Sequence, residues 1–231
     1  MGSGLGLLSL DQNPAPVKLS HVQRLRFRQA DRSLDSAECV RLDDWWRTYQ
    51  AAHPHFHNGP VIACRRVVHE AEGSLVVEWY RTDYAHFLVR EAPELGIAPA
   101  HTIFSAVALT TREGGLLVGR MAEDTASPNR LQFPGGGVVM PEGESLTPEV
   151  CLHAALEELE EEVGLQLPEE QIVLWRLKTG GASGDLGLFY RIVEPVDEVV
   201  VTRAFEALQE REQRAGIASE LSEIVFLWPL E

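Results

Sequence analysis

The residues able to do chemistry in this chain are gathered in one acidic stretch. Residues 131–175 contain no Lys or Arg, and within them FPGGG at 133–137 precedes LEELEEEVGL at 156–165. Thr147-Pro148-Glu149 reads as a helix start, with a hydroxyl cap, a proline at the first helical position and an acid in the positive first turn; Gly164 is a natural stop. One amphipathic helix is expected between them. Leu152, Ala155, Leu156, Leu159 and Val163 recur at spacings of three and four, which predicts a buried stripe and groups Glu158, Glu161 and Glu162 on another face. Like charges at such spacings cost about 0.2–0.5 kcal/mol a pair, and no Lys or Arg within the helix offsets them. A hard divalent cation reverses that cost, and carboxylate oxygens suit Mg²⁺ or Mn²⁺. The plainer reading is a solvated acidic face; FPGGG upstream and the terminal glycine favour the metal.

These residues resemble the Nudix hydrolases, whose signature has the form G-x5-E-x7-R-E-U-x-E-E-x-G-U, with U aliphatic. Its second half is matched by Glu158, Leu159, Glu161, Glu162, Gly164 and Leu165, and its first by the PGG loop with Glu142 at the expected spacing from Gly136. Two departures stand out. Fourteen residues separate Glu142 from Glu157, a seven-residue lengthening, and Glu157 occupies the position of the family's arginine. A Nudix subgroup that hydrolyses UDP-glucose and UDP-galactose is similar in both respects and adds an N-terminal domain. The segments 46–60 (ending HPHFHNGP), TDYAHFL at 82–88, GGASGDLGLFY at 180–190 and SELSEIVFL at 219–227 resemble that subgroup too.

The resemblance implies a fold and a set of roles. The fold is α/β: a Nudix α/β/α sandwich with a mixed sheet, preceded by a smaller β-rich domain. Glu158 and Glu162 are the implied metal ligands, with Glu161 a third ligand or a residue holding water at the metal, and the carbonyl of Gly136 completing the set. Mg²⁺ is the expected cofactor, Mn²⁺ the alternative. Glycine suits such a loop because backbone can approach metal and phosphate with no Cβ in the way. The general base stays open among Glu161, Glu142 and Glu220, with Glu161 ranked first. The expected substrate is a small nucleoside diphosphate linked to another moiety, foremost a UDP-sugar yielding UMP and sugar 1-phosphate. ADP-ribose, dinucleotide or CoA-type diphosphates are the alternative, as is a non-catalytic nucleotide sensor, a reading prompted by Glu157 and the lengthened loop.

Further candidates come with plainer counterparts. Arginine forks match phosphate oxygens, and Arg120 and Arg130 flank the loop before PGG; either is equally a surface residue. Tyr84 and Phe87, with Asp83 beside them, read as a surface contacting base or sugar, or, with Tyr80, as core. His53, His55 and His57 alternate as ligands do on a strand, but Pro54 and Asn58-Gly59-Pro60 make a turn and favour a structural or substrate-edge role. GGASGDLG at 180–187 reads as a hairpin loop or a flap.

The elements that must position these groups follow from pattern. The chain has 231 residues, 45% of them hydrophobic, enough for one large domain or two small ones. Strands are expected at 24–28, 61–70 and 74–81, the last two joined by a turn at Glu72-Gly73, with a helix at 36–52 carrying Trp45 and Trp46. A Pro- and Ala-rich stretch at 92–101 separates a β-rich domain, 15–95, from a catalytic domain, 100–231. In the latter we expect an apolar hairpin at 102–120, strands at 171–179 and 186–193, a helix at 203–214 and a strand at 224–230. The net charge of −15 lies almost wholly in residues 101–231, with 9 basic and 23 acidic side chains. That balance opposes a phosphate backbone as partner, so nucleic acid is not expected. Cys39, Cys64 and Cys151 show no CxxC spacing and read as reduced thiols. The opening MGSGLGLLSL has no basic n-region, and no run reaches the length of a membrane span, so a cytoplasmic protein is expected and no membrane partner. Oligomeric state has no sequence signal.

Overall fold

The computed structural model describes residues 15–32, 34–54, 56–70, 74–125 and 127–229. In chain order its elements are β1 (Lys18–Ser20), β2 (Arg24–Gln29), α1 (Ser36–Ala52), β3 (Pro60–His69), β4 (Ser74–Asp83) and α2 (Tyr84–Leu88). There follow β5 (Ile103–Ala108), β6 (Leu116–Met121), β7 (Leu131–Gln132), β8 (Gly135–Gly137) and α3 (Pro148–Val163). The chain closes with β9 (Ile172–Thr179), β10 (Leu186–Ile192), α4 (Glu198–Ala215) and β11 (Leu221–Leu227). The protein is thus mixed α/β, with sheets ordered β1-β9-β10-β5-β8, β11-β6-β7 and β2-β4-β3. None of its described helices is long and apolar enough to cross a membrane. The expected turn at Glu72-Gly73, His55 and the opening segment lie outside the described residues.

Two compact units divide the chain. The first is Met1–Ile103 with Gly137–Pro148 and Leu177–Leu186; the second is Phe104–Gly136, Glu149–Arg176 and Gly187–Glu231. Two later segments join the first unit for identifiable reasons: β1 pairs antiparallel with residues 177–179, and Arg81 bonds the backbone of residues 140–144.

The first unit is built on β4. Its continuous apolar run suits a central strand, and Ser74 to Tyr80 are all buried, between β2, parallel to it, and β3, antiparallel. The lone charge in that run, Glu78, is neutralised by Arg66, which donates at 2.6 and 2.9 Å, and by Arg28; these hydrogen bonds hold its carboxyl down to about 2. Helix α1 is fixed at its start by a capping box, Asp35 accepting from the Glu38 amide at 2.8 Å and Glu38 from the Asp35 amide at 2.9 Å. Its Leu42 and Trp46 pack with Ala85, Leu88, Val89 and Ile97.

In the second unit, the hairpin expected at 102–120 opens almost at once. Its two arms share the Thr110↔Leu116 bridge and then part, β5 into the sheet with β10 and β8, β6 into the sheet with β11 and β7. Local alternation specifies strands but not their partners. Helix α4 begins five residues earlier than the 203 expected. Its first turns hold Val199, Val200 and Val201, β-branched residues of weak helix propensity, yet Val201, Phe205 and Leu208 form its buried stripe, and packing overrides that propensity. The final strand lies at 221–227 and not 224–230, because Leu221, only 1% exposed, pairs with Met121.

Candidate metal centre

Helix α3 runs from Pro148 to Val163, and the stop is steric as well as conformational. Gly164 has φ +75°, and a Cβ there would lie 2.6 Å from the Ala204 carbonyl oxygen of α4. The buried residues of α3 are Cys151, Ala154, Ala155, Leu159, Glu162 and Val163, whereas Leu152 and Leu156 are only half-buried. The stripe is therefore rotated from the one expected, and it includes an acid. Glu162 follows Ala155 by seven residues and Leu159 by three, so it belongs to the core-facing side and is 4% exposed. Glu158, one turn earlier, is half-buried, and Glu161, about 100° round the axis from Glu162, is exposed. The single shared patch expected of the three carboxylates is thus a gradient from core to solvent. Among the described residues, no three His, Cys, Asp or Glu side chains already stand together as a ligand set.

The glycine turn explains how two of these acids are held. Val107 donates its N–H to the Pro134 carbonyl at 2.9 Å, which brings β8 against β5. A Cβ on Gly135 would lie 2.3 Å from the Ser105 carbonyl oxygen, so no other residue fits. Its amide donates to Glu162 Oε2 at 2.9 Å. At Gly136 a Cβ would lie 2.0 Å from Glu158 Oε1, so this carboxylate occupies the space a side chain would take. Both acids of the i, i+4 pair therefore meet the PGG backbone.

Electrostatically the site is short of positive charge. Burial is the main cause that raises Glu162 to about 8; the Gly135 amide opposes it, and Glu220, Glu158 and Glu161 add to it. Burial likewise raises Glu158 to about 7, helped by Glu220, Glu161 and Glu157. Glu220, just before β11, is itself raised, by partial burial and then by Glu161. Its backbone is pinned by the Ala122 N–H donating to its carbonyl at 2.9 Å. Glu162 Oε1 is buried with no hydrogen-bond partner. A buried, unpartnered carboxylate oxygen beside further acids fits a hard cation, which would satisfy that oxygen and neutralise its neighbours. Glu157, standing where the resemblance expects an arginine, is exposed and adds repulsion.

The remaining candidates are dispersed. Arg120 is paired with Glu223 and donates to the Asn129 carbonyl at 3.3 Å, so its guanidinium is already engaged. Arg130 is exposed, its backbone in the turn after Ser127. Asp83 caps α2 by accepting the His86 N–H at 3.0 Å and pairs with Arg32 at 2.9 Å. Tyr84 stacks with Phe56 and Phe87 and meets Trp46 edge-on, while Phe87 carries the Arg90 guanidinium 3.9 Å from its centroid. These contacts place both rings against the α1 core. His53 stacks on Tyr49, and its Nδ1 lies 3.0 Å from the Tyr49 carbonyl oxygen. Residues 180–185 connect β9 to β10, Leu186 and Gly187 already belong to β10, and His101 Nδ1 meets the Ser183 carbonyl at 2.8 Å. Glu142 is exposed in a turn of the first unit, whereas Glu158, Glu161, Glu162 and Glu220 belong to the second. The cysteines are free thiols, Cys64 and Cys151 pushed by burial up to about 12.

Sequence patterns alone did not single out Arg81, whose three bonds to residues 140–144 have no local signal, nor the amide of Gly135 as the group that fixes Glu162. The seven-residue spacing from Ala155 would have signalled the burial of Glu162.

No protein-family model and no curated protein matches the sequence. Among solved structures, partial likenesses of fold occur. One is a MutT/nudix family protein from Enterococcus faecalis, 15% identical, covering 55% of this chain and 43% of that one, at a TM-score of 0.36. A second is a bifunctional NMN adenylyltransferase/ADP ribose pyrophosphatase from Francisella tularensis, complexed with AMP and a Mn ion; it is 13% identical, with 61% and 38% covered and a TM-score of 0.34. A third is the Nudix hydrolase RenU from M. Smegmatis, 19% identical, with 54% and 69% covered and a TM-score of 0.29. The chain thus spans less than half the length of the first two.

Proposed function

We propose that this protein is a divalent-metal-dependent hydrolase of a nucleoside diphosphate linked to another moiety. The observation that carries the reading is the buried, unpartnered Oε1 of Glu162 beside the PGG backbone and Glu158. Glu158, Glu162 and the Gly136 carbonyl would hold the metal, Mg²⁺ foremost and Mn²⁺ as the alternative, with Glu161 at the solvent side. Bound there, the cation supplies neutralisation of charge developing on phosphate oxygens. The chain's own residues do the rest. Gly135 fixes Glu162 through its amide, and the absence of a Cβ at Gly136 lets Glu158 approach the backbone. A water attacks phosphorus, the P–O anhydride bond breaks, and a carboxylate takes the proton; Glu161, Glu220 and Glu142 are the candidates for that base. Glu220 gains support from its coupling to Glu158, Glu161 and Glu162.

A UDP-sugar, cleaved to UMP and sugar 1-phosphate, is the preferred substrate, supported by the lengthened loop, Glu157 and the short motifs quoted above. ADP-ribose, dinucleotide and CoA-type diphosphates are the other members of the class. Arg120 and Arg130 are the proposed phosphate contacts, and Asp83, Tyr84 and Phe87 the proposed base or sugar contacts. The sensor reading is the alternative from another class, motivated by Glu157 in the place of the signature arginine and by the lengthened loop. The test is release of nucleoside monophosphate from UDP-sugars, ADP-ribose, dinucleotides and CoA, with and without Mg²⁺. Metal-dependent cleavage of UDP-sugars alone supports the full proposal; cleavage of another member replaces the substrate. Metal binding with no cleavage at high enzyme concentration establishes the sensor.

A further inference from the structure

We infer that Arg81 is a positioning residue: it holds the connector between the glycine turn and the acidic helix in one shape, and metal binding by that helix depends on it. The inference rests on the metal-dependent reading above. In sequence the connector is residues 137–148, between Gly136 and Glu149, and it lies inside the stretch that contains no Lys or Arg. Its cation comes from elsewhere in the chain. The Arg81 guanidinium, on β4, donates to the Met140 carbonyl at 3.2 Å, the Pro141 carbonyl at 2.6 Å and the Glu144 carbonyl at 2.9 Å.

The ends of the connector are tied down, the Val138 N–H donating to the Ile103 carbonyl at 3.0 Å, and its middle is the part that Arg81 reaches. Val138, Met140 and Leu146 are buried, but residues 141–145 are exposed, and the Glu144 N–H reaches the Pro141 carbonyl only at 3.4 Å. A planar fork can bond several carbonyls at once in fixed directions, which a lysine ammonium on a flexible stem cannot do. Arg81 is itself well placed to act as a peg. It is half-buried, its neighbours Tyr80 and Thr82 are buried, and the Trp79 ring centroid is 6.0 Å from the guanidinium carbon. Ordering a connector lowers the entropy lost when its two ends must be held together, here the turn bearing Gly136 and the first turn of α3. The lengthening that sets this loop apart from the family signature makes such a peg more necessary.

The test compares the full-length protein with Arg81→Lys and Arg81→Ala in three measurements: amide hydrogen exchange, the Mg²⁺ concentration giving half the maximal thermal shift, and kinetics on whichever diphosphate is cleaved. In Arg81→Ala, exchange across 137–148 should accelerate and the Mg²⁺ midpoint should rise, each about tenfold, with kcat recovering at saturating Mg²⁺. Arg81→Lys, which keeps the charge and loses the fork, should fall between and covers the case in which the alanine variant does not fold. Unchanged exchange overturns the clamp. Faster exchange with an unchanged Mg²⁺ midpoint leaves Arg81 a structural peg and overturns its link to the metal. A wild-type protein with no Mg²⁺ response overturns the metal-dependent reading and that link, while exchange still decides whether the clamp exists.

Discussion

The amide of Gly135 donates to Glu162 Oε2 at 2.9 Å while Glu162 Oε1 stays buried without a partner. One oxygen of the carboxylate is thus oriented by backbone and the other is left to a ligand. A group in that position is expensive in the metal-free protein and valuable when a cation arrives.

Replacing Glu162 with Gln should therefore separate stability from function. The amide side chain keeps an oxygen for the Gly135 N–H and removes the buried charge, so the metal-free variant should melt higher than wild type near pH 8. Its Mg²⁺-induced thermal shift should vanish. Its kcat/KM should fall by more than the ~10–100-fold that loss of an outer partner of a metal ligand costs. Calorimetric melting with and without Mg²⁺ checks this, and a normal shift in the variant would remove Glu162 from the ligand set.

The raised carboxyls also set a pH dependence. Glu158 and Glu162 titrate in the fold at about 7 and about 8, above their ordinary value of 4.5. The folded state then holds protons the unfolded chain has released, so the contribution of these two groups to stability is greatest below about 4.5 and is lost as pH rises through about 7 to 8. Melting temperature measured in chelator should decline across that window, and Mg²⁺ should flatten the decline. Wild type and Glu162→Gln falling in parallel would show that Glu162 is not the source.

Glu78 supplies the opposite sign in the first unit. Its carboxyl, held down to about 2 by Arg66 and Arg28, contributes stability that is present above about 4.5 and lost as pH falls towards about 2. Glu78→Gln should therefore be less stable than wild type at neutral pH, with the gap closing as the medium is acidified. Acid titration of the denaturant midpoint in both proteins measures it; a gap independent of pH would assign the loss to packing instead.

Two neighbouring glycines should fail for different reasons. Gly135→Ala puts a Cβ 2.3 Å from the Ser105 carbonyl oxygen, which is strand backbone and cannot yield, so stability should fall by about 1–3 kcal/mol or more. Gly136→Ala meets the Glu158 carboxylate, the end of a side chain that can swing away. Its stability loss should be smaller and its loss of Mg²⁺ response at least as large. Urea midpoints and Mg²⁺ titrations of the pair distinguish the two, and equal stability losses would refute the assigned contacts.

Much of this protein was legible in its sequence because the signals are local. Residues 36–52 were expected as a helix and form one, and Thr147-Pro148 and Gly164 bracket α3 as caps and breakers do within a turn or two. The acid-only stretch and the PGG turn pointed to a cation because charge and missing Cβ atoms are properties of the residues themselves. Other features required the tertiary structure. Whether Glu162 faces core or solvent depends on which side of α3 is covered, and Glu220 couples to it from fifty-eight residues away in the chain. The split of β5 and β6 between two sheets, and the reach of Arg81 to residues 140–144, are likewise choices of partner. Pairing and burial are decided by what packs against an element, and a pattern of residue types carries only the element's own preferences.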